Sequence, residues 1–278
     1  MTPLEFTAGI AGVSIVAGLI GSLLGLGGGI LVIPALTLLF HVDIRYAIGA
    51  SIVSVIATSS GAAAAYVRDR ITNIRVAMFL EVATVTGALA GAFLAGRVHG
   101  RWLFLTFGLA LFYSALGMLR KPHEARSVAL PADPLADRLR LHGAYHDEAA
   151  GRSVEYRVRG TAPGLGLMAL AGGLSGLLGI GAGAFKVPAM DLAMGLPIKV
   201  STATSNFMIG VTAAASAGVY FARGDIDPFI AAPVATGVLV GAMAGSRLLS
   251  RIQGRVVRWA FVLVLAWIAA QMFLQGLR

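Results

Sequence analysis

The residues able to do chemistry in this chain come in two copies. Gly25-Leu26-Gly27-Gly28-Gly29, followed by Pro34, recurs as Gly179-Ile180-Gly181-Ala182-Gly183, followed by Pro188, at a constant offset of 154 residues. The same offset lays Arg45 over Lys199, Ser51 over Ser205, Thr58 over Thr212 and Tyr66 over Tyr220, so the pattern is an internal repeat. A glycine in an ordinary helix costs about 1 kcal/mol relative to alanine, so glycine runs inside such apolar stretches predict helices that break. Glycine lets the backbone turn and approach a ligand, and the following proline favours an extended residue before it and a new helix start. A helix start inside a membrane presents unpaired N–H groups and the positive end of a helix dipole, which suits an anion. The candidate substrate-binding residues are Gly27, Gly28, Gly29 and Ser51 from the first copy and Gly181, Gly183, Lys186, Ser205 and Asn206 from the second. Lys186 puts a full positive charge where insertion costs about 2.5–3.5 kcal/mol. Arg45 and Lys199 would stand at opposite mouths as electrostatic funnels.

Each of these residues also has an ordinary explanation. Ser, Thr, Ala and Gly are what tight helix packing in lipid uses, and a hydroxyl can satisfy its own helix carbonyl. Lys186 could snorkel to an interface or pair with Asp191, and Glu81, the other acid within a span, could cap or pack as readily as carry a proton. The functional reading rests on coincidence: the hydroxyl segments follow the glycine breaks in both copies, and Asn206 has no packing rationale. Gly87, Gly91, Gly237, Gly241 and Gly245 stand at GxxxG spacing and are read as packing surfaces.

The elements that must position these groups are long apolar runs. They lie at about 6–26, 29–40, 46–67, 75–96 and 101–119, and again at 163–180, 183–195, 200–222, 228–246 and 256–276. Two of them, 29–40 and 183–195, are too short to cross about 30 Å of hydrocarbon, so they read as half-helices, with about eight full spans expected. Of the 278 residues 57% are hydrophobic and only 13% charged, far from the soluble average of about a quarter. The expected fold is an all-α polytopic membrane protein. Residues 1–119 are expected to form a first transmembrane repeat and 161–278 a second, each with a glycine-broken helix or helical hairpin plus three further transmembrane helices.

Five segments per repeat is an odd number, so the second copy should enter the membrane from the opposite side as an inverted repeat. With the 120–160 insert in the cytoplasm, sixteen of the 22 Lys and Arg fall inside and five outside, with Lys186 alone within the membrane. That asymmetry supports an orientation with both termini outside. The insert reads as a Pro-rich linker, KPHEARSVALPADPLAD, followed by a small β-hairpin built from RLRLHGAY and SVEYRVR. The N-terminal run, lacking a basic n-region and a cleavage site, is expected to be retained.

Several function classes are disfavoured. The chain has no cysteine, so disulfides and thiol chemistry are excluded. Neither glycine cluster carries a P-loop or a complete dinucleotide fingerprint. The five histidines fall in loops, and although His142 and His146 lie four apart beside Asp147 and Glu148, the alternating pattern there opposes the helix that would align them on a metal. No enzyme chemistry, metal or cofactor is expected. The basic character, with pI near 10.6, reads as cytoplasmic loops of a membrane protein and not as a nucleic-acid surface.

The doubled glycine break with its proline, the ASxxS and ATSN segments after it, and the basic insert between halves resemble the TauE/SafE family of sulfite-exporter-like membrane proteins over nearly the whole chain. The resemblance implies transport of small sulfur-containing anions, such as sulfite or organosulfonates, across the bacterial cytoplasmic membrane. It maps the family's glycine-rich breaks onto Gly25, Gly27, Gly28, Gly29 and Pro34 and onto Gly179, Gly181, Gly183 and Pro188, and its polar segment onto Ser51, Thr204, Ser205 and Asn206. The second copy departs from the family pattern at Ala182 and Lys186. With the cell interior negative, moving one negative charge outward gains about 2.3 kcal/mol per 100 mV, which favours export. The expected partners are a small anionic substrate and the lipid bilayer, with no nucleic acid; monomer and homodimer stay open. The alternatives are a permease for another small solute or ion, or a non-transporting membrane scaffold.

Overall fold

The computed structural model describes residues 3–98, 100–119, 133–148, 151–249 and 251–277. Residues 121–132 of the expected linker, with Lys121 and Arg126, lie outside the described residues, as does Arg120 before them. Helices run in the order α1 (Pro3–Leu24), α2 (Gly29–Pro34), α3 (Ile44–Arg68), α4 (Ile74–Ala95) and α5 (Gly100–Leu119). After the short helix α6 (Pro134–Arg138) and the strands β1 (Gly143–Asp147) and β2 (Arg152–Tyr156), the helices resume. They are α7 (Thr161–Leu178), α8 (Gly183–Pro188), α9 (Ile198–Ala222), α10 (Pro228–Leu249) and α11 (Gly254–Leu277). The chain is an all-α multi-pass membrane protein carrying one small β-hairpin.

The starts of α2, α3, α4 and α5 recur at those of α8, α9, α10 and α11 at the offset found in the sequence (Gly29 against Gly183, Gly100 against Gly254). α2 and α8 each end in a proline and run on through one π-helical turn, Ala35–Leu39 and Ala189–Ala193. Proline lacks the N–H that would close the helical ladder and crowds the preceding turn, and a wider π turn is a common way to absorb that. These short pieces are the half-helices.

Among the described residues six helices are long and apolar enough to cross a membrane, α1, α3, α4, α7, α10 and α11, where about eight were expected. α9 has the 25 residues of its counterpart α3, but Ser201, Thr202, Thr204, Ser205 and Asn206 lower its hydropathy, and all five are buried. Its first half is buried in protein, while Val211 and Phe221 of its second half are exposed. Val82, Phe93, Leu170, Phe221 and Phe229 stay exposed on the outside of the bundle, where hydrocarbon replaces water as the solvent.

Helices of the two halves interleave. α1 packs along α10, α4 along α7, α5 along α11, and α3 against both α9 and α10. The closest approaches are made by small residues. A Cβ at Gly241 or Gly245 would run into the backbone of Ile15 or Leu19 on α1, and one at Gly87 or Gly91 into that of Ala169 or Gly173 on α7. The GxxxG-spaced glycines are packing surfaces, as expected, because only bare backbone admits helices this close.

The insert is more structured than a linker at its end: Asp133 caps α6 through the amides of Leu135 and Ala136. The hairpin is antiparallel, with Gly143 opposite Tyr156 and Asp147 opposite Arg152. It sits on the starts of α4 and α9. Asn73, the N-cap of α4, donates to Leu141 O at 2.8 Å and to the Tyr156 hydroxyl at 3.0 Å, and Lys199 Nζ donates to Asp147 Oδ1 at 2.8 Å. Asp133 also accepts from the amide and hydroxyl of Thr161 at the start of α7, tying the insert to the second half.

Candidate transport site

The two breaks meet at the centre of the bundle. Each runs through left-handed backbone, at Gly25, Gly27 and Gly28 in the first (φ 70°, 80° and 66°) and Gly179, Gly181 and Ala182 in the second (φ 68°, 72° and 63°). Glycine adopts this region freely, whereas Ala182 holds it against a cost of about 1–2 kcal/mol. Both breaks abut the same two side chains: a Cβ at either Gly27 or Gly181 would press on Val55 of α3 and Ile209 of α9, themselves one repeat offset apart. Gly29 lies against Ser51 and Val55, Gly28 against Thr58, and Gly183 against the backbone of Gly25 and Leu26.

A broken helix frees carbonyls that cannot stay unpaired away from water. The polar residues of α3 and α9 take them up in matched pairs across the halves. Ser51 donates to Gly179 O and Ser205 donates to Gly25 O, both at 2.8 Å. Within each half, Tyr66 donates to Ser22 O at 2.9 Å and Tyr220 to Gly176 O at 2.7 Å. Asn206 adds a bond of 2.8 Å from Nδ2 to Ser22 O, while its Oδ1 has no hydrogen-bond partner. The hydroxyl clusters therefore hold the breaks open by spending their protons on backbone.

The remaining predicted residues are dispersed. Thr204 is not at the breaks: its hydroxyl accepts from the Asn73 amide at 3.0 Å, at the junction with the hairpin. Lys199 is not a solvent-facing funnel, since it is buried under β1 and bonded to Asp147, whereas Arg45 at the start of α3 is exposed. Arg45 lines a shallow pocket with Tyr220, Arg223 and Asp225.

Lys186 pairs with neither lipid headgroups nor Asp191, which is engaged by Arg258 at 2.6 Å. It is fully buried, and its Nζ lies 2.5 Å from Thr212 Oγ1 and 3.6 Å from Glu81 Oε2. Thr212 in turn donates to Glu81 Oε1 at 2.6 Å. Sequence spacing had brought Thr212 forward only as the match of Thr58, and nothing in it joined either residue to Glu81, which lies 131 positions from Thr212. Val55 and Ile209 were missed altogether, being apolar residues in apolar segments.

Residues 10–272 match the family described as sulfite exporter TauE/SafE, and the chain belongs to that family. It is 26% identical over 270 residues to "Probable membrane transporter protein YunE" of Bacillus subtilis (strain 168), covering 95% of this chain and 96% of the relative. It is also 26% identical over 232 residues to "Probable membrane transporter protein YdhB" of the same organism, covering 83% and 85%. No solved structure matches the chain. The protein is a multi-pass membrane transporter for a small solute.

Proposed function

We propose that the protein exports small sulfur-containing anions, sulfite or organosulfonates, across the bacterial cytoplasmic membrane. The supporting observation is the meeting of two left-handed glycine breaks around Val55 and Ile209, with the buried cation Lys186 in the helix that follows the second break. The break amides and Lys186 supply the positive potential an anion needs away from water. Val55 and Ile209 form the apolar constriction that must part for passage. Ser51, Ser205 and Asn206 keep the breaks in register, and Thr204 positions the start of α4. Arg45 attracts anions on the outer face, and both termini lie outside, as the distribution of basic residues suggests.

The test is thermal stability of the detergent-purified protein with sulfite, thiosulfate, taurine, sulfoacetate, sulfate and chloride. Ligand at a hundred times its dissociation constant stabilises by about 2.7 kcal/mol. A shift with a sulfur anion and none with chloride is expected, lost when Lys186→Met is combined with Glu81→Gln. Equal shifts with every anion, or none, would overturn the substrate class.

A further inference from the structure

The Glu81, Thr212 and Lys186 cluster has no charged counterpart in the other half. The repeat offset puts Val32 at the position of Lys186 and Ala235 at that of Glu81, while Thr58 still matches Thr212. The fold therefore holds its equivalent site with an apolar pair, and the two charges are a matched addition on one side. Their cost is high, because ionised groups in the hydrocarbon region are tolerated only when paired. Here the pairing is incomplete: Glu81 Oε2 accepts no hydrogen bond and faces Lys186 Nζ at 3.6 Å, with Thr212 between Nζ and the other carboxylate oxygen.

A buried site of this kind stays close to electrical neutrality in each of its states. Empty, Lys186 and Glu81 cancel. A monovalent anion that takes Lys186 as its counter-ion leaves the Glu81 carboxylate as an uncompensated negative charge, unless Oε2 takes a proton from the water that admits the anion. Resting on the anion-transport reading above, we infer that Glu81 is the proton carrier of this transporter: anion and proton bind together and leave together. The pair crosses with no net charge, so the membrane potential drops out and export runs only while the outward anion gradient exceeds the inward proton gradient.

The charged and phenolic groups named below, on the helices packed around the cluster, are engaged elsewhere or exposed. Arg75, at the start of α4, donates to Arg140 O. Lys199 at the start of α9 is bonded to Asp147, Asp191 to Arg258, and Tyr220 to the backbone of α7. α7 carries no charged residue, and Arg101 of α5 donates to Gly276 O. On α3, Arg45 and Tyr46 stand exposed at its start and Arg68 pairs with Asp69 at its end, while Tyr66 donates to Ser22 O.

The experiment is calorimetric titration of the purified full chain with methanesulfonate, a monovalent anion that stays ionised through neutral pH, in buffers of differing ionisation enthalpy. About one proton is taken up per anion bound, and affinity weakens about tenfold per pH unit once Glu81 must be protonated from its ionised form. Glu81→Gln binds the anion with no proton uptake and no such pH slope. The Glu81→Ala/Lys186→Val variant, which copies the apolar pair of the first half, folds and takes up no proton. Wild-type binding without proton uptake, or unchanged uptake in Glu81→Gln, overturns the inference alone. Failure of methanesulfonate, sulfite and thiosulfate to bind the wild type overturns the anion reading and this inference with it.

Discussion

At the residue scale, the hydroxyls and the charges do different work. Ser51 and Ser205 each donate one buried hydrogen bond to a carbonyl of the opposite break, so Ser51→Ala and Ser205→Ala should each cost about 1 kcal/mol, and by similar amounts. Denaturant unfolding in detergent measures this, and a large inequality would show that the two breaks are not held alike. Lys186→Ala alone should cost about 3–5 kcal/mol, because it strands Glu81, whereas Glu81→Ala/Lys186→Val should cost far less. Backbone conformation gives a second contrast. Gly27→Ala meets Ile209 and a φ of 80°, and should destabilise by about 2 kcal/mol. Ala182→Gly trades relief of the same strain against one buried methyl and should fall within about 1 kcal/mol of neutral. The glycines and the hydroxyls Ser51 and Ser205 were legible as a set because the repeat prints them twice, and Lys186 stood out as a lone charge in an apolar run. The partner of Lys186 was not, since an ion pair between positions so far apart carries no local signature.

At the element scale, the ten apolar segments appear as helices close to where hydropathy put them, because each is bounded by Gly, Pro or charge. What hydropathy could not show is that the first half of α9 is buried, with Ser205 and Asn206 reaching the first break and Thr204 the junction with the hairpin. The hairpin was legible from alternation, but its docking was not, since it depends on Asn73 and Lys199 reaching it from other elements. Asn73→Ala removes both the cap of α4 and two bonds to the insert. Amide exchange in β1 and β2 should rise well above that in α4, and equal exchange would show the hairpin is held without it. A second junction of the insert, from Asp133 to the start of α7, is sensitive to acid. Partial burial works against the charged form of Asp133, but the Thr161 amide, the Ala136 amide, the Thr161 hydroxyl and the Leu135 amide outweigh it and hold the carboxyl below its ordinary range. With the folded value depressed, this contribution is full above the ordinary carboxylate pKa and is lost as pH falls through the folded value. Hairpin exchange should therefore rise in acid below that range, and Asp133→Asn should abolish the dependence.

At the scale of the whole molecule, the repeat read from sequence survives as element order, while the packing joins elements of opposite halves. The absence of cysteine makes orientation directly measurable. Ser153→Cys on the hairpin should react with a membrane-impermeant maleimide only from the cytoplasmic side, and Ala222→Cys at the end of α9 only from outside. Labelling of both from one side would overturn the inverted arrangement.

The bond from Ser205 to Gly25 O spans 180 residues of chain. At a synthesis rate of about 5–20 residues per second, roughly 10–40 s separate the carbonyl from its donor leaving the ribosome. Through that interval the first half waits in the membrane with a severed helix it cannot seal by itself and with the flanks of α1 and α4 uncovered. Translation speed and the insertion machinery then bear on maturation alongside the final energy of the bundle.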